Sequence, residues 1–214
     1  MATEHLIYIH GFNSSPLSFK ARQLKAHVHT NQLDVTVHCP ELSHWPKTAM
    51  QQLIELIESL SGGITLVGSS LGGFYSTALL ARYPELKAVL VNPAVAPHKL
   101  LPAYLGDNEN LYSGERYQLT LEHMHQLEQL HLAKPIGCER MLVLLQTADE
   151  TLNYLDAVAY YNGAQLDISL GGSHGYDQFE TKLAQLLDFA EIPYQQPLTL
   201  LPAFVPAEPS GTDQ

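Results

Sequence analysis

Six short apolar runs set the frame of this chain: "LIYIH" (6–10), "VTVHC" (35–39), "ITLVG" (64–68), "AVLVN" (88–92), "MLVLLQ" (141–146) and "LDISL" (166–170). They are nearly continuous rather than alternating, which is the pattern of strands covered on both faces. Segments of helical period lie between them. "PKTAMQQLIELIESLSGG" opens on proline, closes on a glycine pair and carries Leu53, Leu56, Ile57 and Leu60 on one stripe. "LGGFYSTALLARYP" stops at Pro84, and the stretches near 17–30, 151–162 and 176–190 behave alike. Strands alternating with helices predict an α/β fold, with a mostly parallel sheet of six or slightly more strands and helices on both faces. In such sheets the working site lies at the carboxyl ends of the strands.

One connection is too long for a simple crossover. Between Pro93 and Arg140 the chain holds "GDNENLYSGERY" and the amphipathic "LTLEHMHQLEQLHL", and connections beyond about 12–15 residues carry function or structure of their own. We expect a small helical cap at about 97–134, inserted into a single domain spanning 1–192. Residues 193–214 hold five of the chain's 13 prolines without periodicity, which predicts an extended or disordered tail.

Charge narrows the partners. The 214 residues carry 22 acidic and 11 basic side chains, a formal net charge of -11, with no lysine or arginine cluster. Nucleic acid is excluded as an expected partner, because phosphate binding draws on dense positive charge, and anionic membrane surfaces are disfavoured for the same reason. No apolar stretch approaches the ~20 residues of a membrane span. The first residues lack the basic segment and apolar block of a signal peptide. The two cysteines, Cys39 and Cys138, are expected reduced. These readings predict a cytoplasmic monomer or homodimer.

The chemistry begins at "LVGSSLGGF". Gly68 and Gly72 stand two positions either side of Ser70, after a predicted strand and at the start of a predicted helix. The G-x-S-x-G pattern arises by chance only about 0.07 times in a chain this long, and its context is that of a nucleophile on a sharp strand-to-helix turn. The blander reading is a serine that caps the helix. Ser69 lacks the flanking glycines. A serine hydroxyl needs a base, and His174 in "SLGGSHGYDQF" follows the last predicted strand. A carboxylate must orient that base; Asp149 in "MLVLLQTADETLNY" follows the fifth strand, with Glu150 the alternative, and Asp177 is too near His174 in sequence. Nucleophile, acid, base is the chain order of α/β-hydrolases.

Acyl transfer also needs two backbone N–H groups aimed at the developing oxyanion. Leu71 supplies one from the helix start. "HGFNSSP" supplies the other: Gly11 lets the backbone approach and Phe12 offers its N–H, with His10 and Asn13 shaping the loop and Asn13, Ser14 and Ser15 fixing it by local hydrogen bonds. His123, His125 and His131 are expected on the polar side of the cap helix with Glu122 and Glu128; positions 123 and 125 face apart, and no metal is expected. His5, His27, His29, His38, His44 and His98 are expected at the surface or at strand ends.

The stretches "IYIHGFNSSPLSFKA", "LVGSSLGGFYSTALLARY", "VLVNPAV", "LLQTADETLNYLDAVAYY", "GGSHGYDQFE" and "LGDNENLYSG" resemble the small bacterial α/β-hydrolase esterases of the YqiA/YcfP type, nearly to Phe189. Ala148, where glycine is expected before the acid, and the proline-rich segment beyond Ile192 depart from that pattern. The resemblance implies hydrolysis of carboxylic esters or thioesters by Ser70, Asp149 and His174, with Phe12 and Leu71 as oxyanion donors and no cofactor. We therefore expect a serine esterase acting on a small acyl ester. The alternatives are an acyl-CoA thioesterase or peptidase with the same triad, or a non-catalytic ligand-binding module on a hydrolase scaffold.

Overall fold

The computed structural model describes residues 4–110, 112–195 and 198–199. In chain order the elements are β1 (Glu4–Ile9), α1 (Phe19–Thr30), β2 (Val35–His38), α2 (Pro46–Ser59), β3 (Gly63–Ser69), α3 (Leu71–Arg82) and β4 (Lys87–Val91). Then follow α4 (Pro97–Leu100), β5 (Gly106–Glu109), β6 (Arg116–Leu119), α5 (Leu121–Leu130), β7 (Met141–Gln146), α6 (Tyr154–Tyr160), β8 (Gln165–Ser169) and α7 (Leu183–Phe189). Short 3-10 turns occupy Leu101–Tyr104, Cys138–Arg140 and Phe179–Lys182.

The six expected strands form one sheet in the order β2-β1-β3-β4-β7-β8, and every neighbouring pair is parallel. Within each apolar run the side chains still alternate, because successive Cβ atoms leave opposite faces of a strand. Leu6, Tyr8, Val67, Val89, Val91, Leu142 and Leu144 meet α1 and α7 through Ala21, Leu24, Leu183 and Leu187. Ile7, Ile9, Leu66, Ala88, Leu90, Val143 and Leu145 meet α2, α3 and α6 on the other face. Two separate cores result, so the inner strands β1, β3, β4 and β7 need no polar side, while the edge strands β2 and β8 remain partly exposed.

The helices obey their sequence signals. Pro46 opens α2, and Ala49, Met50, Leu53, Ile54 and Ile57 form its buried stripe, with Leu56 and Leu60 half-buried at its margin. Helix α3 is buried almost all round and ends before Pro84, where a helix cannot continue. Carbonyls at its end and in the turn beyond it are taken by Arg140, whose guanidinium donates to Leu80, Tyr83 and Leu86 oxygens at 3.0, 3.1 and 2.7 Å. The terminal helix starts later than the sequence pattern implies, at Phe179 as a 3-10 turn.

The insertion over the sheet is not all helical. Beside α4 and α5 it contains an antiparallel hairpin, β5–β6, in the register Gly106↔Leu119 to Glu109↔Arg116. The hairpin is closed by charged and amide pairs, Arg116 Nε to Glu109 at 2.8 Å and Gln118 Nε2 to Asp107 at 2.6 Å, both exposed. Polar strands with glycine and asparagine have low β propensity, which is why the pattern pointed only to a helix. The expected tail lies largely outside the described residues. Of its described part, Thr199 exchanges two hydrogen bonds with the Asn31 side chain at the end of α1, at 2.7 and 3.3 Å. Among the described residues no helix is long and apolar enough to cross a membrane.

Candidate active site

The chain reverses direction across the sheet between β1 and β3: β2 lies on one side of β1 and β3 on the other. The crevice at such a switch point is where α/β sheets hold their ligands. Here it is bounded by the loop after β1, which begins at His10, and by the turn from β3 into α3, which carries Ser70.

Ser70 has φ 54° and ψ -118°, a backbone that non-glycine residues rarely adopt and that persists only where its surroundings enforce it. The enforcement is visible. The Ser70 N–H donates to Val91 O at 3.0 Å, and its own carbonyl accepts from Gly73 and Ala94 N–H at 2.9 and 3.0 Å. The glycines serve this turn in a way that spacing alone did not reveal. A Cβ on Gly72 would lie 1.9 Å from the Ile9 carbonyl oxygen, and one on Gly68 would lie 2.5 Å from the Gly72 oxygen. They are pressed against β1 and against each other, not against Ser70. Gly11 does approach the nucleophile: a Cβ there would sit 3.2 Å from Ser70 Cβ.

His174 reaches this hydroxyl from the loop after β8. Its Nε2 stands 3.0 Å from Ser70 Oγ, and its Nδ1 stands 2.9 Å from Asp149 Oδ2. The Asp149 side chain is 2% exposed, and its Oδ1 accepts the N–H groups of Thr151 and Leu152 at 2.9 and 2.8 Å. Burial pushes this carboxyl upward. The hydrogen bonds from His174, Leu152 and Thr151 outweigh that and hold it below its ordinary value. Glu150, the alternative acid, has a different partner. Its carboxylate accepts the backbone N–H of His174 at 3.0 Å, and this bond lowers its pKa. Asp177 accepts from Ser173 Oγ at 2.6 Å. Ser69 closes β3 as a buried residue.

Phe12 and Leu71, expected to supply the oxyanion amides, both line the cavity beside Ser70, and Leu71 opens α3, where helix geometry leaves N–H groups without intrahelical acceptors. His10 is buried, its Nδ1 3.1 Å from Gly11 O, and desolvation lowers its pKa. Ser15 fixes the loop locally, accepting from Leu17 N at 3.0 Å. Asn13 does not act locally as expected: its side chain is spent on the cap, on Tyr117 Oη and Asn108 Oδ1.

A cavity of about 450 Å³ opens beside Ser70 and His174, walled by Phe12, Leu71, Ala94, Leu100, Leu101 and Leu152, with Tyr104 at its mouth. The Phe12 and Tyr104 rings stand 5.9 Å apart. Among the described residues no lysine or arginine lines it.

The sequence reading missed the groups that hold His174. Asn92, at φ 40° after β4, donates from Nδ2 to the Ser173 and His174 carbonyls at 3.0 and 3.3 Å and accepts from Gln146 N at 3.0 Å. Gln146 Oε1 accepts the N–H groups of Ser173 and Asp177 at 3.0 and 2.8 Å. A signal existed: two buried strands, "AVLVN" and "MLVLLQ", end on an amide. Lys20 adds a third tether, Nζ to Gly175 O at 2.7 Å. Its ammonium is pushed down to about 8 by desolvation, against the pull of Asp149.

The cap histidines also differ from expectation. His123 is fully buried rather than on the polar side; its ring stacks on Trp45 at 3.8 Å and its Nε2 lies 3.1 Å from His44 Nδ1. His5 and His27 are buried as well. Among the described residues no group of three or more histidine, cysteine, aspartate or glutamate side chains comes together as a metal set.

The same architecture recurs widely. The chain is similar to mouse α/β hydrolase domain-containing protein 10, at 16% identity and TM-score 0.67, covering 87% of this chain and 89% of that one. It is similar to Est1E of Butyrivibrio proteoclasticus with ferulic acid bound, at 16% identity and TM-score 0.64, over 88% and 86% of the two chains. It is also similar to a variant of tomato methylketone synthase I complexed with β-ketoheptanoate, at 14% identity and TM-score 0.63, over 89% and 99%. At these identities the likeness establishes the α/β-hydrolase fold. The family model of the uncharacterised protein family UPF0227 matches residues 5–191, nearly the whole described chain, and the protein belongs to that family.

Proposed function

We propose that this protein is a serine esterase that hydrolyses carboxylic esters of uncharged, apolar acyl groups through an acyl-enzyme on Ser70. The observation that carries this reading is the imidazole of His174, set 3.0 Å from Ser70 Oγ and 2.9 Å from Asp149 Oδ2. Those are the distances of a nucleophile, its base and the group that orients the base.

The steps follow from these groups. Ser70 Oγ forms a bond to the ester carbonyl carbon as its proton passes to His174 Nε2. The carbonyl oxygen takes up the electron pair and is held by the Phe12 and Leu71 N–H groups. Asp149 keeps the Nδ1 proton in place and stabilises the imidazolium. The tetrahedral adduct expels the alcohol oxygen, which leaves with the Nε2 proton. Water then repeats the sequence on the acyl-Ser70 ester, releasing the acid and restoring the serine. The apolar cavity supports the choice of acyl group: its volume lies in the range of small-molecule sites, roughly 300–1,000 Å³, and burying a charged acyl chain there would cost several kcal/mol. The absence of lysine or arginine in its lining favours a simple ester over a coenzyme A thioester with its phosphates.

The test is labelling with an alkyl fluorophosphonate together with hydrolysis of p-nitrophenyl esters from acetyl to palmitoyl, run beside acyl-CoA thioesters. We expect labelling that Ser70→Ala abolishes, and turnover of the p-nitrophenyl esters above that of the thioesters. A chain that neither labels nor hydrolyses is a binding module, and the esterase reading is then wrong.

A further inference from the structure

The loop that carries Phe12 follows β1 and is fixed locally by Ser15, but it has a second support. It is held from above, by the hairpin β5–β6 of the cap. Asn13, next to Phe12, sits at φ 50°, a left-handed backbone that asparagine tolerates and most residues do not. Both ends of its amide are used by hairpin residues: Tyr117 Oη donates to its Oδ1, and its Nδ2 donates to Asn108 Oδ1 at 3.1 Å. The next residue is gripped too, since Asn110 Nδ2 donates to Ser14 O at 2.9 Å.

The grip continues into both neighbours of the site. Asn108 Nδ2 donates to the Tyr104 carbonyl at 2.7 Å, and the Tyr104 ring stands on Phe12 at the mouth of the acyl cavity. The Tyr117 ring is braced in turn by His44, stacked 4.3 Å away. Burial pushes the Tyr117 phenol up to about 12, so it stays protonated and keeps its donor. A left-handed residue whose side chain is fully engaged by a separate element owes part of its placement to the docking of that element.

We propose that the β5–β6 hairpin is a positioning element for the oxyanion site: Tyr117 and Asn108, acting through Asn13, keep the Phe12 N–H aimed at the carbonyl oxygen as it becomes negative. This rests on the esterase reading above. Tyr117, Asn108 and Asn110 touch no reacting atom. Their effect is on an interaction made in the transition state, and such interactions change kcat and leave ground-state binding nearly alone.

The experiment compares wild type, Tyr117→Phe, Asn108→Ala and the control Gln118→Ala, a hairpin residue whose side chain bonds to exposed Asp107. Three quantities are measured: kcat and KM for p-nitrophenyl butyrate, the affinity of an alkyl trifluoromethyl ketone, which forms an oxyanion on the serine, and the affinity of butyrate. Loss of a whole oxyanion donor costs about 10²–10³ in kcat, so a misaimed one should cost roughly 10–100-fold. We expect that fall in kcat for Tyr117→Phe and Asn108→Ala. The trifluoromethyl ketone affinity should fall in proportion, with KM and butyrate affinity within about 3-fold and Gln118→Ala close to wild type.

A reactive wild type whose kcat is unchanged in both variants overturns this inference alone. So does a loss that appears equally in kcat, butyrate affinity and thermal midpoint, since that marks a merely structural hairpin. A wild type inert to ester and fluorophosphonate overturns the esterase reading, and this inference with it.

Discussion

Replacing Asp149 by asparagine tests the proposed site at the point where two carboxylates compete for the role of acid. The structure dictates which way the new amide faces. Asp149 Oδ1 accepts two N–H groups, from Thr151 and Leu152 at 2.9 and 2.8 Å. An NH2 in that position would lose both bonds and oppose two donors, a cost of about 2–3 kcal/mol. That is a preference of roughly 30–150-fold for keeping oxygen there. The asparagine NH2 therefore points at His174 Nδ1, 2.9 Å away in the wild type, and the imidazole must accept at Nδ1 and carry its proton on Nε2. The nitrogen facing Ser70 is then already protonated and can take no proton from it. We expect kcat for p-nitrophenyl butyrate to fall about 10³–10⁴-fold, the scale of a wrong tautomer in a serine triad, with KM and folding little changed. Fluorophosphonate labelling should slow in step. Glu150→Gln is the companion variant: its side-chain oxygen still accepts the His174 backbone N–H, and activity should stay within about 3-fold. If Asp149→Asn keeps more than a tenth of the activity while Glu150→Gln loses it, the acid has been misassigned and the tautomer argument falls.

Two further outcomes follow from the packing. Gly72→Ala gains about 1 kcal/mol of helix propensity, but its Cβ would lie 1.9 Å from Ile9 O, where a carbon–oxygen contact needs about 3.3 Å. Helix α3 must retreat by more than 1 Å, so we expect a lower thermal midpoint, about 1–3 kcal/mol of lost stability, and on the order of 10²-fold loss of turnover; a variant as stable and active as wild type would contradict the steric argument. The second outcome is a pH effect on the cap. Thr120 N–H donates to His123 Nδ1 at 3.1 Å, so the neutral His123 ring carries its proton on Nε2 and offers it to His44 Nδ1. Burial lowers both pKa values; Glu115 opposes this at His44, and at His123 the neighbouring His44 adds to it while Glu122 opposes. The unfolded chain then takes up protons first as pH falls through about 6.5, so stability is present above that pH and declines below it, by at most about 1.4 kcal/mol per pH unit per proton. Thermal melts of wild type and of His44→Gln/His123→Gln between pH 8 and 5 should show a shallower acid slope in the double variant, and equal slopes would refute it.

The sheet was legible because its inner strands are buried on both faces. "LIYIH", "ITLVG" and "MLVLLQ" can be satisfied only between two helical layers, and the residues that end them came out at one edge of the sheet as expected. The turn at Ser70 was legible from its glycines, although their reason was not. Gly72 yields to Ile9 and His10, residues some sixty positions away in the chain, and no local rule contains that contact. The hairpin β5–β6 escaped notice because its strands are polar and exposed, so no hydrophobic period marks them. His123 was misplaced because its neighbour on α5, Glu122, is exposed, while the residues that cover His123, His44 and Trp45, come from the loop leading into α2, some eighty positions earlier in the chain.

Residue order alone determined the alternation of strands and helices and the burial of the inner strands on both faces, and it singled out one hydroxyl, one imidazole and two rival carboxylates at strand ends as candidates. These are local or periodic properties, and side-chain periodicity expresses them directly. Tertiary structure decided which carboxylate meets Nδ1 and which meets the backbone N–H of His174. It also decided that Asn92 and Gln146 hold the histidine loop, and that the cap hairpin grips Asn13. Each of those outcomes is a hydrogen bond between segments distant in the chain. Its direction and length depend on how whole layers pack, and two neighbouring residues of one chemical type are separated by geometry alone.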